Sequence, residues 1–366
     1  MIVGVDGREV CDQPAGKGQY LLRILSHWRT DPGLQLVIYL RPGQKLPSLL
    51  SDGPAPRAVA VGGWSPAWHY TVSRRLKKDG IEVFFAALSY QSAVWNAVPT
   101  VTVVHDLAVF RLAGMAVHNR NAWLIEHLFL KRCMRRSAAV ITVSESGKND
   151  LLQLTSIDPK KVRVISEAPL LTEEKQANNQ PVPMAGREPF FLFVGTLQPR
   201  KNIGGILKAF ATLPREIRAR YTLKLAGKPG WGGEDYPELA TQLGIAGQTQ
   251  FLGYVSDEQL AELYRKATLL VYPSFYEGFG LPVIEALAVG TPVVTSTVSS
   301  LPEVLGDGGI ACDPGDPAGI ARAIQEIISD ARQYEKYSRA GYRFAERFSW
   351  EKAAQQTKAV IAEVIR

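Results

Sequence analysis

Two carboxylates, Glu277 and Glu285, stand eight positions apart across the stretch Tyr276-Glu277-Gly278-Phe279-Gly280-Leu281-Pro282. The preceding run, Thr268 to Pro273, is apolar and reads as a buried strand. The order is therefore strand, loop with Glu277, helix start, and Glu285 on the helix. In an open α/β sheet such a loop lies at the carboxyl ends of the strands, where ligands bind. The backbone amides of Gly278, Phe279, Gly280 and Leu281 would face an anion there, favoured by the helix dipole. The two carboxylates could accept hydrogen bonds from hydroxyls on either side of it. A compound with hydroxyls at both ends and phosphates between them is a nucleotide sugar. Taken alone, the two acids would be no more than charges near a helix terminus; the loop around them argues for chemistry.

Arg200 and Lys201 follow a second apolar run, Phe190–Val194, at another strand-to-helix loop. Two adjacent cations can neutralise a diphosphate and stabilise it as a leaving group. The planar guanidinium suits phosphate oxygens, and the ammonium adds a point charge. A solvated basic turn is the plainer alternative. His105 and Asp106 end the run Thr100–Val104, where a cleft is expected; the aspartate could orient the ring or cap the next helix. Gly16 and Gly18 lie between the first strand and a helix, where a side chain would obstruct a ligand. The spacing GxGxxG is absent there, so dinucleotide binding is not indicated. No GxSxG elbow accompanies His105. No Asp-x-Asp pair stands in a metal-binding loop, and Asp313 and Asp316 flank Pro314-Gly315 as turn residues. The expectation is a site without a metal or cofactor.

These loops need strands to carry them, and short apolar runs alternate with amphipathic stretches along the whole chain, as in parallel sheets covered by helices. Seven strand candidates come first: Ile2–Asp6, Leu34–Leu40, Ala58–Val61, Val83–Ala87, Thr100–Val104, Ala139–Val143 and Arg163–Ser166. Six follow: Phe190–Val194, Leu223–Ala226, Gln250–Leu252, Leu269–Tyr272, Val293–Thr295 and Gly309–Cys312. Between them lies a polar, proline-containing stretch without apolar periodicity. The expected organisation is a first Rossmann-like doubly wound domain over 1–171, a linker over 172–189, a second such domain over 190–347, and a C-terminal helix over 348–366 that packs back toward the first.

The length of 366 residues itself suggests two domains, and 46% hydrophobic with 21% charged residues is ordinary for a globular chain. No apolar run suggests a transmembrane helix, and the N-terminus runs directly into a strand without the look of a signal peptide. Cys11, Cys133 and Cys312 fit neither a disulfide framework nor a zinc spacing, which suggests a reducing cytoplasm. The net charge of +7 is uneven. Residues 1–170 hold 21 Lys and Arg against 13 Asp and Glu, leaving 21 against 22 in the remainder. A basic first half suggests an anionic partner, either a membrane or a phosphate-bearing substrate. Trp64, Trp68 and Tyr70 precede Arg74, Arg75, Lys77 and Lys78, and Trp123 and Phe129 accompany Lys131, Arg132, Arg135 and Arg136. Rings beside clustered cations suit peripheral contact with anionic lipid; the plainer reading is core aromatics and solvated charge.

Several segments, in order, carry a resemblance. They are Gly16-Lys17-Gly18-Gln19-Tyr20, His105-Asp106, Val143-Ser144-Glu145-Ser146, Gly195-Thr196-Leu197-Gln198-Pro199-Arg200-Lys201-Asn202 and Ala226-Gly227-Lys228. They continue with Phe251-Leu252-Gly253-Tyr254-Val255-Ser256, the Glu277/Glu285 pair, Ser299-Ser300-Leu301-Pro302-Glu303 and Phe348-Ser349-Trp350. Across nearly its whole length the chain resembles the retaining glycosyltransferases of family 4, with the GT-B fold of two Rossmann-like domains facing across a cleft. The 195–202 segment resembles the bacterial mannosyl- and rhamnosyltransferase branch.

The resemblance implies that the second domain binds a nucleotide diphosphate sugar and the first a glycan or lipid-linked acceptor, without nucleic acid. Glu277 would contact the donor sugar, Glu285 the ribose, Arg200 and Lys201 the diphosphate, and His105 the sugar by side chain or backbone. Many relatives have arginine directly after the strand glycine, where this chain has Thr196, so Lys201 is the firmer assignment. The remaining donor contacts implied are Gly16, Gly18, Gly195, Thr196, Gly253, Tyr254, Val255, Gly278, Phe279, Gly280 and Leu281. GDP-mannose is the first expectation for the donor; UDP-glucose, another UDP-sugar and dTDP-rhamnose stay open. An epimerase would need further acid/base residues that are not evident, and a non-catalytic sugar-nucleotide binder would bind donor without turnover.

Overall fold

A computed structural model of the chain describes residues 1–11, 16–51, 56–112, 120–170, 181–232 and 234–365; the side chains of 51, 65–66 and 120–126 fall outside that description. Two all-parallel sheets form, one of seven strands in the order β3-β2-β1-β4-β5-β6-β7 and one of six in the order β10-β9-β8-β11-β12-β13. The first comprises β1 Ile2–Asp6, β2 Gln35–Leu40, β3 Arg57–Ala60, β4 Val83–Ala86, β5 Thr100–Val104, β6 Ala139–Thr142 and β7 Val162–Val164. The second comprises β8 Glu188–Val194, β9 Thr222–Ala226, β10 Thr249–Gly253, β11 Ala267–Tyr272, β12 Val293–Ser296 and β13 Gly309–Cys312. Every strand matches its expected run to within two residues. Continuous apolar segments such as Phe190–Val194 and Leu269–Tyr272 are buried throughout, because helices cover both faces of a parallel sheet. The fold is GT-B.

In both sheets the strand order reverses beside the first-laid strand, between β1 and β4 and between β8 and β11. Chain leaving the carboxyl ends of such a pair diverges to opposite faces and opens a crevice.

The chain divides into two compact units, the first from 1–107, 120–167 and 349–366 and the second chiefly from 168–348. Most of the expected linker, Thr172 to Gln180, lies outside the described residues. Its end needs correction: β8 begins at Glu188, so the last two positions assigned to a linker are strand. Polar Glu188 and Pro189 hid this, since the register is set by neighbouring strands and not by their own character. The Trp350–Ile365 helix packs on the Lys17–Trp28 helix of the first unit. Trp28 Nε1 donates to Ala354 O at 3.0 Å, and the Tyr20 and Trp350 rings meet edge to face.

Arg187 anchors the start of β8. Its buried guanidinium donates to the carbonyls of Val182, Tyr264, Val289 and Gly290 and to Thr291 Oγ1. Those groups lie far apart in sequence, and without the guanidinium several carbonyls lose their partner in the interior. Arg187→Met should therefore cost about 3 kcal/mol of stability, each orphaned buried group contributing roughly 1–3 kcal/mol. Denaturant titration checks this; a loss under about 1 kcal/mol would mean that water replaces the arginine.

Candidate functional site

After β8 the chain makes a tight turn over Pro199–Lys201 and reaches Asn202, whose backbone is left-handed with φ 60°. The Asn202 amide donates to Pro273 O at 3.0 Å and to Pro314 O at 2.7 Å. Phe275 N donates to Arg200 O at 2.9 Å. Asn202 thus fastens the loop after β8 to the loop after β11, and so carries Arg200 and Lys201 to Glu277.

The contact is direct. Lys201 Nζ lies 2.6 Å from Glu277 Oε1, and Arg200 Nη1 donates to Glu277 Oε2 at 3.1 Å and to Tyr276 O at 3.0 Å. Tyr272 OH donates to Glu277 Oε1 at 2.9 Å. Glu277 and Lys201 are both buried. Burial pushes the Glu277 carboxyl pKa upward, but Lys201 and then Arg200 outweigh it and hold the group at about 2. Burial and the Glu277 charge keep the Tyr272 phenol well above its ordinary value, so it remains a donor.

Serines fix the backbone behind the carboxylate. Glu277 N donates to Ser299 Oγ at 3.0 Å, and Ser300 Oγ donates to the carbonyls of Glu277 and Phe279. Gly280 precedes the Leu281–Ala288 helix with φ 114°, a conformation closed to side chains without strain, and no side chain caps this helix. Pro282 has no N–H, and Val283 N and Ile284 N donate to Gly280 O, so an anion at this helix start would meet the Leu281 amide and the glycine-rich loop before it. Glu285 projects from the helix interior, and one carboxylate oxygen accepts from Tyr264 OH at 2.8 Å. Both residues are buried, and burial followed by Glu285 holds the Tyr264 phenol well up. Glu285 is therefore positioned from behind by a tyrosine.

Beside this cluster the loops after β8 and β9 touch. A Cβ on Gly227 would sit 1.9 Å from Gly195 O, so only glycine allows the approach. A Cβ on Gly195 would lie 3.8 Å from Lys201 Cε. On the far side is a cavity of about 390 Å³, lined by Leu197, Pro229, Tyr236, Phe251, Asp235 and Gly253 among others. Thr196 and Tyr254 are exposed, and Lys228 Nζ stands 4.7 Å from the centre of the Tyr254 ring. Val255 leads into Ser256, which closes a capping box with Gln259. Apolar walls, a cationic pair, helix amides and buried carboxylates thus follow one another along one face of the second unit.

His105 and the glycine loop lie in the first unit. His105 Nε2 is 2.9 Å from Ala87 O and Nδ1 is 3.2 Å from Glu167 Oε1, with the Tyr20 ring edge-on. Both ring nitrogens are engaged, so a donor contact through the ring would require breaking one of these bonds. Gly16, at φ 51°, is exposed at the start of the Lys17–Trp28 helix, and Gly18 is buried inside it. The Val143–Ser146 segment is a helix start: Ser144 Oγ accepts from Gly147 N. Among the described residues, no three His, Cys, Asp or Glu side chains are grouped to hold a metal ion, and no helix is long and apolar enough to cross a membrane.

Sequence reasoning missed Tyr272, Tyr264, Asn202, Ser299 and Ser300 as parts of this constellation. Only the two serines and Asn202 lay within quoted motifs; the tyrosines looked like ordinary strand and helix residues.

Residues 19–168 match the family model "Glycosyltransferase Family 4", and 174–344 match "Glycosyl transferases group 1". The chain is 34% identical over 262 residues to the O-antigen chain mannosyltransferase B of Escherichia coli, covering 70% of this chain and 68% of that protein. It belongs to the family-4 glycosyltransferases. It is also 28% identical to the serotype-specific mannosyltransferase WbdA of Escherichia coli over 82% of its own length, but spans only 37% of that relative. Among solved structures, sucrose-phosphate synthase from Thermosynechococcus elongatus superposes with a TM-score of 0.76 at 22% identity, over 99% of this chain and 98% of that one.

For this glycosyltransferase the Glu277 pairing has a pH signature. Its folded-state pKa lies below the ordinary 4.5, so its stabilisation is complete above about pH 4.5 and is lost as pH falls toward 2. Glu277→Gln should flatten the acid limb of the stability profile in that window. Equal slopes for variant and wild type in urea titrations would mean that Glu277 is not ion-paired in solution. Lys201→Ala should weaken nucleoside diphosphate binding by about 1.5–3 kcal/mol, as measured by calorimetry. Unchanged affinity would remove Lys201 from the donor site.

Proposed function

We propose that this chain is a retaining, metal-independent hexosyltransferase of surface-polysaccharide assembly. It would move mannose from GDP-mannose to a glycan or lipid-linked acceptor. The observation that carries the reading is the Arg200–Lys201–Glu277 cluster at the switch point of the second sheet, beside an uncapped helix N-terminus. Similarity to the O-antigen mannosyltransferase supports the sugar and the pathway class. UDP-glucose, another UDP-sugar or dTDP-rhamnose is the alternative donor.

The chemistry follows from charge. The ligand-free cations are held by Glu277, so an entering diphosphate competes for them and frees a carboxylate oxygen for a sugar hydroxyl. Nucleotide base and ribose would lie toward the cavity walled by Leu197, Tyr236 and Phe251, with the ribose hydroxyls at Glu285. As the anomeric C–O bond breaks, negative charge grows on the diphosphate, where Arg200, Lys201 and the helix amides stabilise it without reorganising. The acceptor hydroxyl attacks from the face the diphosphate leaves and gives its proton to the departing phosphate oxygen. Cationic side chains and the helix dipole do the electrostatic work that a divalent metal would do elsewhere.

A peripheral membrane contact belongs to the same reading. Trp64 is 75% exposed and Tyr70 49%, at the start and middle of the Ser65–Leu76 helix, with Arg74, Lys77 and Lys78 also exposed. Trp68, read from sequence with these rings, is completely buried beneath Arg8 and is a core residue. Trp68, Val72 and Leu76 recur every four residues on the helix face that packs into the core of the first unit, whereas Trp64 is the N-cap, outside the helix. The Trp123 side chain lies outside the described residues, and Phe129 is half-buried against Trp95.

Two measurements test the proposal. In a thermal-shift panel GDP should raise stability more than UDP or dTDP, by RT ln(1 + [L]/Kd), about 2.7 kcal/mol at a hundredfold excess over Kd. Turnover of GDP-mannose should survive exhaustive chelation and give a product with the donor's anomeric configuration by NMR. Donor binding without turnover would favour the non-catalytic binder, and activity lost to EDTA but restored by magnesium would refute metal independence. For the membrane contact, co-sedimentation with anionic vesicles should fall with salt and with joint Arg74/Lys77/Lys78→Ala substitution, each cation contributing about 1 kcal/mol. Equal partitioning onto neutral and anionic vesicles, or onto neither, would leave a water-soluble acceptor.

A further inference from the structure

Glu285 sits inside the Leu281–Ala288 helix, about one turn past Leu281. A helical side chain leans back toward the helix start, and one turn is about 5.4 Å long. An anion held at the Leu281 amide would therefore have the Glu285 carboxylate within reach of a sugar ring attached to it. In a nucleoside diphosphate that ring is the ribose. The carboxylate is buried, so bulk water does not readily refill a lone pair that a ligand leaves empty.

The group that orients this carboxylate comes from another element. Tyr264 lies in the Asp257–Lys266 helix, completely buried, and its hydroxyl donates to Glu285 Oε2 at 2.8 Å. Tyr264 is itself fixed through its backbone. Its carbonyl accepts from Thr291 Oγ1 at 2.6 Å and from Arg187 Nη1 at 3.4 Å, and Thr291 Oγ1 accepts from Arg187 Nη1 at 2.7 Å. Arg187, Thr291, Tyr264 and Glu285 thus form one line of hydrogen bonds from the start of β8 to the helix that begins at Leu281. Burial, then the Glu285 charge, keeps the phenol protonated, so it remains a donor to the carboxylate across the neutral range. A carboxylate on a flexible side chain turns to suit its ligand. With Oε2 tied to a buried phenol, the plane of this one is set before a ligand arrives.

A vicinal diol can give both of its O–H groups to one carboxylate, whereas a 2′-deoxyribose has only one to give. A freely turning carboxylate recovers part of that loss by rotating toward another donor. One held from behind does not, and the empty acceptor counts against the ligand that lacks the hydroxyl. We infer that Tyr264 is a positioning residue that makes the donor site select ribonucleotide over 2′-deoxyribonucleotide sugars, by holding Glu285 against the ribose diol. The inference rests on the donor reading above and narrows it. dTDP-rhamnose, whose nucleoside is a deoxyribonucleoside, leaves the set of donors, while GDP- and UDP-sugars stay in it.

Calorimetry on the full chain tests this with two matched pairs, GDP against 2′-deoxy-GDP and UDP against 2′-deoxy-UDP, and with inorganic pyrophosphate. In the wild type, the ribonucleotide of whichever pair binds should bind at least about tenfold tighter than its deoxy counterpart, the usual worth of a hydrogen bond to a charged group. Tyr264→Phe keeps the ring and loses the hydroxyl. Its ratio should fall to about threefold or less through weaker ribonucleotide binding, with deoxynucleotide and pyrophosphate affinities within about twofold of wild type. A tyrosine that served packing alone would weaken all three ligands alike, or lower only the melting temperature, and leave the ratio at its wild-type value. Glu285→Gln keeps the side-chain volume and gives a second route, since the ratio should collapse there in the same way. Equal affinity for ribo and deoxy forms in the wild type, or a ratio that persists in either variant, would overturn the inference and leave the donor reading standing. Wild-type protein that binds neither pair would refute the donor reading and the inference with it.

Discussion

A carboxylate buried in the second unit is tolerable only when cations meet it there, and Glu277 sets this condition for everything around it. Its charge would be expelled from the interior if Lys201 and Arg200 were not brought to it from the loop after β8. That in turn requires Asn202 in a left-handed conformation, bonded to Pro273 and Pro314, and the close passage of Gly195 over Gly227. The result is a group of charges that satisfy one another; under the proposed function an entering phosphate would re-partition them. Pre-organisation of this kind supplies transition-state stabilisation because the dipoles do not have to move when charge develops.

The same device appears in the first unit with different residues. There Asp6 is the buried acid and Arg8 the cation it holds, again at the carboxyl ends of the two strands flanking a switch point. The difference between the two crevices is in the balance of charge. In the second, Arg200 and Lys201 both meet the single Glu277. In the first, one cation, Arg8, meets one buried acid, Asp6, and Arg41 and Glu9 line the same crevice.

Much of the stability is supplied away from these crevices. Arg187 gathers carbonyls from the ends of two helices at the start of β8. In the first unit the Trp350–Ile365 helix and the Lys17–Trp28 helix cover one sheet face, with Trp28 bonded to Ala354. Large aromatic and branched side chains fill the cores on the faces of both sheets.

What the sequence by itself determined was whatever depends on local pattern. Thirteen runs became thirteen strands; the central ones are apolar along their length because both faces are buried, while edge strands such as β3 and β10 keep exposed residues. Glu277, Arg200 and Lys201 were legible because each sits in a glycine- or proline-marked loop after such a strand, and Glu285 because it lies on the helix that one of those loops opens. Tertiary structure decided which of these groups meet. That Lys201 reaches Glu277, that Tyr264 stands behind Glu285, and that Asp6, Arg8, Trp68 and His69 form one cage are contacts across dozens of residues. No spacing along the chain encodes them, since the twist and register of the sheets bring them together. Trp68 shows the limit most plainly: its neighbours in sequence made it look like a surface ring, and only the packing of its helix on the first sheet placed it in the core beneath Arg8.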